Sequence, residues 1–116
     1  MGVELKNIQD SMVFNEKNLT KRILFANPKV LAFVLNLKPG QTLPVHKHEN
    51  SELIYYVLTG SGQIRVNDEV HEISFGSIGS ASGQDDFSIP LVKEDLSLYV
   101  TISPNPSNEM YSKGID

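Results

Sequence analysis

Short runs of aliphatic, β-branched and aromatic residues recur along the whole chain, separated by clusters of Gly, Pro, Asn, Asp and Ser. No stretch keeps the 3.6-residue period of an amphipathic helix. The pattern therefore predicts an all-β fold of short strands joined by turns. The expected strands are residues 21–25, 30–37, 43–48, 53–58, 62–66, 70–75, 87–90 and 96–102.

The turn residues support this division of the chain. Residues 38–41 read Lys-Pro-Gly-Gln, which places Pro and Gly where a type II turn needs them. Residues 67–68, Asn-Asp, lie between apolar flanks and predict a tight hairpin. A chain of 116 residues has room for one domain. We expect N-terminal strands or an arm over 1–29, a sandwich or small barrel over 30–103, and a tail over 104–116.

The composition excludes several classes of function. Because the chain has no cysteine, it can form no disulfide, Cys-ligated zinc site, iron–sulfur cluster or thiol nucleophile. The net charge is −4 and the basic residues are scattered, so we expect no nucleic-acid partner. Apolar runs such as 30–35 are too short to span a bilayer, and residues 1–6 carry no signal pattern. We expect a cytoplasmic protein with no membrane partner.

Two expected strands, residues 30–35 and 53–58, are apolar on both faces. A half-buried antiparallel strand should alternate between apolar and polar residues, so something must cover the second face. A second copy of the chain is one cover, which predicts a symmetric homodimer. The alternative cover is the N-terminal strand or the tail of the same chain.

Residues 40–52 contain two of the three histidines and form the densest cluster of metal-capable groups in the chain. Side chains at positions i and i+2 of a strand share a face, so His46 and His48 can converge on one point. Glu52 follows after a short loop and can bring a carboxylate to the same place. Such a triad suits a divalent ion, with Fe, Mn, Ni and Zn as candidates. The alternative is a pair of surface histidines beside solvated carboxylates.

This segment resembles the first motif of the cupin family: Gly, five residues, His-x-His, three or four residues, Glu, six residues, Gly. Gly40, His46, His48 and Glu52 match the first four fixed positions. The resemblance implies a jelly-roll barrel, also called a double-stranded β-helix, with a metal site at one mouth. Proteins of this family are often dimeric, so the resemblance also implies a dimer.

The chain departs from this motif after Glu52, because seven residues rather than six separate Glu52 from Gly60. Counted back from Gly60, the acidic position falls on Leu53, which cannot bind a metal. A β-bulge between Glu52 and Tyr55 would absorb the extra residue and keep Glu52 facing inward.

The second cupin motif is degenerate in this chain and lies in residues 75–87. Gly76 and Gly83 fit its glycine positions, whereas Asp86 or Phe87 stands where the family's last histidine ligand belongs. Asp86 is therefore a candidate fourth ligand, and the alternative for it is a solvated loop carboxylate.

Cupins include isomerases, dioxygenases, lyases, sugar-binding regulators and seed storage proteins, so the resemblance alone does not assign a function or decide whether the chain is an enzyme. The first hypothesis is a protein that binds a divalent metal and acts on or binds a small polar molecule. The second is a metal-free cupin with a degenerate metal site that binds a small molecule or a partner. A purely structural dimer is the third. We expect Ile54, Tyr56 and Phe87 to line the ligand pocket.

Overall fold

The computed structural model describes residues 2–106 and 114–115. It is built of one short 3-10 helix and seven strands, and it confirms the all-β class and the jelly-roll barrel. No helix within these residues is long and apolar enough to cross a membrane. The helix spans Ile8–Ser11, and the strands are β1 (Thr20–Asn27), β2 (Val30–Leu37), β3 (Leu43–His46), β4 (Glu52–Val66), β5 (Glu69–Ser74), β6 (Ile78–Ser82) and β7 (Phe87–Ser103).

All pairings between the strands are antiparallel. The sheet order is β1-β2-β7-β4-β5, with β3 added to β7 and β6 added to β4. The two long strands, β4 and β7, pair with each other from Glu52 opposite Ser103 to Val66 opposite Phe87. Several register shifts along this ladder increase its twist and curl the sheet around the core. The core is formed by inward-facing residues of nearly every strand, and its fully buried members include Leu31, Leu37, Val57, Ile89, Leu96, Leu98 and Ile102.

The predicted strands are recovered, with differences in their bounds and number. Strand β2 has the predicted bounds, but β4 and β7 each join two expected strands into one. Strand β3 ends at residue 46 rather than 48. The sequence does not indicate β6, because its residues, Ile-Gly-Ser-Ala-Ser, are mostly small and polar; pairing with β4 defines this strand.

Both predicted turns are confirmed. The amide of Gln41 donates to the carbonyl of Lys38 over 2.9 Å, and Gly40 has a φ of +91°, as a type II turn requires. At the other turn, Val66 pairs with Glu69, so residues 67–68 form the two-residue link between β4 and β5.

The N-terminal segment covers the outer face of β2. The side-chain amide of Asn36 donates to the carbonyl of Ser11 over 2.8 Å and to Oγ1 of Thr20 over 2.9 Å, and its oxygen accepts from Ser97. Every residue from Leu31 to Leu37 is buried within the single chain. The alternative cover, the chain's own N-terminal part, therefore accounts for the second apolar face of this strand.

Most of the predicted tail, residues 107–113 and 116, lies outside the described residues. Within the described part, Ile115 pairs with Lys21 on the free edge of β1 through two backbone hydrogen bonds of 2.5 and 2.7 Å. Ile115 thereby reaches one mouth of the barrel.

Candidate ligand site at the barrel mouth

The structure brings the two imidazoles of the His-x-His segment together. Strand β3 ends at His46, which is paired with Phe87 of β7, and His48 lies just beyond the strand. The ring centroids of His46 and His48 are 4.7 Å apart, with the ring planes at 81°.

The backbone around His48 is held by the region of the second motif. The amide of His48 donates to the carbonyl of Gly83 over 3.0 Å, and the amide of Gly83 donates to the carbonyl of Ser51 over 2.7 Å. A Cβ atom on Gly83 would lie 2.7 Å from the carbonyl carbon of His48, closer than packed atoms approach. Only glycine therefore fits between these backbones, and Gly83 fixes the position of His48.

A hydrogen bond orients the ring of His46, and burial sets the protonation state of His48. Nδ1 of His46 lies 2.8 Å from the carbonyl oxygen of Pro44, and since that oxygen can only accept, the contact assigns a proton to Nδ1. His48 is 5% exposed. Burial lowers the pKa of His48 to about 4, and the charges of His46 and Lys21 act in the same direction. His48 is therefore a neutral imidazole at pH 7.

Lys21 is a buried cation at the same mouth, and sequence reasoning missed it. It is paired with Leu35 across β1 and β2, so the two side chains share the inner face of the sheet. Its Nζ lies 4.5 Å from the ring centroid of Phe33. Burial lowers the pKa of Lys21 to about 8, which leaves the amine mostly protonated at pH 7. The sequence does contain a signal for its burial. Lys21 lies two residues after Leu19 and two before Ile23, both apolar, and side chains spaced by two share one face of an extended chain.

These basic groups open onto a cavity of about 440 Å³. This volume lies in the lower part of the range, roughly 300–1,000 Å³, that small-molecule sites occupy. No acidic residue is found among the described residues of its lining. The lining consists of Leu19, Phe33, Leu35, Leu43, Pro44, Val45 and Ile115, together with Lys21, His46 and His48.

Glu52 does not join the histidine pair. Leu53 and Tyr55 are 4% and 7% exposed and face the core, so the alternation along β4 places Glu52 on the outer, solvent-exposed face. The predicted bulge between Glu52 and Tyr55 is wrong, because the ladder with β7 is unbroken from Glu52 to Val57. The extra residue is absorbed between Val57 and Thr59, where β4 advances by two residues and β7 by one.

The structure also corrects the positions expected for the other site residues. Asp86 is about half-exposed, and its carboxylate lies 3.8 Å from Nζ of Lys47. Ile54 is 49% exposed on the same outer face as Tyr56, because both alternate with the inward residues of β4. Phe87 is buried in the core. None of these residues lines the cavity beside the histidines.

The donor set does not fit the predicted metal centre. Protein metal sites of this kind use three or four ligands, and here the leucine at position 53 faces inward where a carboxylate is needed. Across residues 2–106 and 114–115, no group of three or more His, Cys, Asp or Glu side chains could hold a metal ion. The ammonium of Lys21, close enough to influence His48, further opposes a dication.

The comparisons with known proteins agree with the fold. Residues 33–79 match the model of the cupin domain. The TT1209 protein of Thermus thermophilus has 27% identity over 90% of this chain and 100% of its own, with a TM-score of 0.83. An RmlC-like cupin from Desulfovibrio desulfuricans has 25% identity over 89% of this chain and 98% of its own, with a TM-score of 0.79. Residues 33–79 are thus similar to the cupin domain, and the fold of the chain is the double-stranded β-helix of cupins.

A third similar structure is a predicted oxalate decarboxylase from Thermotoga maritima, with 28% identity over 75% of this chain and 81% of its own and a TM-score of 0.67. No curated protein matches the sequence. Structures of this fold also include an ectoine synthase, at 16% identity, so the neighbours differ in function and the fold does not choose among them.

Proposed function

We propose that this protein binds a small organic molecule in the cavity beside His46 and His48, at a site whose metal-binding pattern is degenerate. The observation that carries the proposal is the cavity itself: apolar side chains form most of its wall, and a few basic groups converge on it. Small-molecule sites have this composition, in which apolar area supplies affinity and a few polar groups fix the orientation.

The metal-dependent function predicted from the sequence is the competing candidate. The observation that favours it is the adjacent pair of imidazoles with a neutral His48, since neutral imidazole is the form that binds a metal. Two imidazoles without a carboxylate make a weak centre for Fe, Mn, Ni or Zn, and the nearby cation weakens it further.

A thermal-unfolding screen separates the two candidates. Chelator-treated protein is mixed with a panel of small organic acids, amides, sugars and amines, and separately with Mn²⁺, Fe²⁺, Ni²⁺ and Zn²⁺. We expect organic compounds to raise the melting temperature, since a ligand that binds only the folded state stabilises it. Stabilisation by metal ions that is lost in His48→Ala, with no organic compound active, would reject our proposal in favour of a metal site.

A cavity-filling variant locates the binding. Leu43→Phe adds volume to a partly buried residue of the lining and should abolish the stabilisation by organic ligands. Leu91→Phe is the matched control, because Leu91 is 42% exposed and lies outside this cavity. Equal ligand binding by both variants would show that the ligand binds elsewhere.

A further inference from the structure

A second cavity, of about 490 Å³, is lined by residues of β4, β5 and β6 and of the turn between β5 and β6. It shares no lining residue with the cavity beside the histidines. Ile64 and Ile73 are 2% and 5% exposed and give it an apolar floor. Both the volume and this floor are typical of small-molecule sites.

The buried side chain of Tyr55 also lines this second cavity. Tyr55 is 7% exposed and pairs with Gly79 of β6. A Cβ atom on Gly79 would lie 2.5 Å from the hydroxyl oxygen of Tyr55, so the glycine makes room for the phenol. Across residues 2–106 and 114–115, this hydroxyl has no hydrogen-bond partner. A buried hydroxyl is stabilised by a hydrogen bond, which a molecule bound in the cavity can supply.

The polar part of this wall accepts hydrogen bonds and carries negative charge. Each of its polar side chains has an oxygen or a ring nitrogen that can accept. Burial raises the pKa of Tyr55, so the phenol is neutral at pH 7 and the negative charge comes from two carboxylates. No lysine or arginine is found among the described residues of this wall. Its polar members are Tyr55, Glu69, His71, Glu72, Ser77 and Ser80.

Of the two carboxylates, Glu69 has the charge that can act on a ligand. Glu72 accepts hydrogen bonds from Lys93 and Gln63, so a cation of the chain already balances its charge. Oε2 of Glu69 lies 3.2 Å from Nε2 of His71, and the side chain is exposed. A carboxylate at a wall without lysine or arginine favours a cationic ligand over an anionic one.

From these features we infer that the second cavity binds small organic amines in their ammonium form. The hydroxyl of Tyr55 accepts a hydrogen bond from the ammonium, the charge of Glu69 attracts it, and the hydrocarbon body covers Ile64 and Ile73. An aliphatic amine is protonated at pH 7, as the side chain of a lysine in water is. This site is separate from that of the proposed function, and neither depends on the other.

Isothermal titration calorimetry on the full chain at pH 7 tests the inference. The probes are hexylamine, 1-hexanol and hexanoate, which share a six-carbon body and differ in charge. We expect hexylamine to bind roughly tenfold more tightly than 1-hexanol, since a hydrogen bond that involves a charged group is stronger than a neutral one, and hexanoate to bind least tightly. From butylamine to hexylamine the affinity should rise by about fourfold per methylene.

Variants of the wall identify the groups that hold the amine. Tyr55→Phe removes only the hydroxyl, so hexylamine binding should weaken by roughly tenfold while the melting temperature stays near that of the wild type. Tyr99→Phe is the matched control, because Tyr99 lies outside this cavity. Glu69→Gln should weaken hexylamine binding by about threefold or more and leave 1-hexanol binding unchanged. Glu4→Gln, at an exposed residue outside the cavity, should change neither.

The possible results are distinct. Equal binding of hexylamine and 1-hexanol, or hexylamine binding that is unchanged in Tyr55→Phe, would overturn the inference. Hexylamine binding that is lost in Leu43→Phe but kept in Tyr55→Phe would place the amine beside the histidines, which overturns this inference and supports the proposed function. Binding that survives Leu43→Phe and weakens in Tyr55→Phe supports it. If Tyr55→Phe does not fold, the effect of Glu69→Gln decides the question.

Discussion

At the scale of single residues, the site is defined by two buried bases, a neutral imidazole and a lysine that stays mostly protonated at pH 7. His48 and Lys21 lie at one mouth, and burial is the largest cause of the lowered pKa of each. The sequence pointed to His48 because His-x-His is a recognisable spacing. It did not point to Lys21, because a lone lysine on a strand is usually solvated, and its proximity to His48 depends on pairings between distant segments.

Acid should weaken the fold through His48. The folded pKa of about 4 lies below the ordinary value of 6.5, so the unfolded chain binds more protons between these limits. The free energy of unfolding should therefore fall as the pH drops from 6.5 to 4, by up to about 3 kcal/mol. Urea denaturation at a series of pH values measures the slope.

Two histidine variants isolate this contribution from the titrating carboxylates. His48→Gln should flatten the slope between pH 6.5 and 4, because it removes the buried base. His71→Gln is the control for removal of a histidine, since His71 is exposed on β5 and lies outside the cavity that His48 lines. Identical slopes for the two variants would contradict the assignment.

Gly83 should tolerate no side chain. In Gly83→Ala the new Cβ would collide with the carbonyls of His48 and Ser51, so the segment that carries His48 must move. We expect a loss of about 2–4 kcal/mol in the free energy of unfolding, measured by urea denaturation, and weaker ligand binding. Gly2→Ala is the matched control, because nothing lies within 4 Å of the added atom. A Gly83→Ala protein as stable as this control would disprove the close backbone contact.

At the scale of elements, the sequence predicts most of the strands but not the register in which they pair. The bounds of β2 follow from its continuous apolar run, whereas β4 continues through Gly60 and Gly62, residues that usually mark a turn. The face on which Glu52 lies depends on whether the extra residue is absorbed before or after Tyr55. The surrounding ladders place it after Val57, and a shift of one residue moves every side chain to the opposite face.

The joint between the N-terminal segment and β2 should depend on Asn36. This side chain is fully buried and bonds Ser11, Thr20 and Ser97. In Asn36→Ala the carbonyl of Ser11 and the hydroxyls of Thr20 and Ser97 each lose a hydrogen-bond partner. We therefore expect the free energy of unfolding to fall by about 2–3 kcal/mol and proteolysis before residue 18 to become faster. Asn18→Ala, at an exposed position, is the control for both measurements. Unchanged proteolysis in Asn36→Ala would show that the segment is held by other contacts.

At the scale of the whole molecule, the N-terminal segment covers the outer face of β2, but another part of the barrel's outer surface is apolar and exposed. Ile54, Tyr56, Ile78 and Tyr99 lie on neighbouring strands, since Tyr56 pairs with both Ile78 and Tyr99 and Ile54 shares its face. Ile54 and Ile78 are 49% and 69% exposed. This patch includes the outer face of residues 53–58, the second segment that is apolar on both faces in the sequence. The homodimer stays a prediction, and this patch is the surface that it would use.

We expect the chain to form a symmetric dimer through this patch. A two-fold axis would set the Ile54 and Ile78 side chains of one copy against the same surface of the other, which removes apolar area from water on both. Light scattering coupled to gel filtration should then give twice the chain mass of 12.9 kDa for the wild type. Ile54→Glu should shift the protein toward the monomer by placing like charges across the axis, whereas Leu91→Glu, at a similarly exposed residue outside the patch, should not. A monomeric wild type at high protein concentration, or dissociation by Leu91→Glu but not by Ile54→Glu, would reject this surface as the dimer interface.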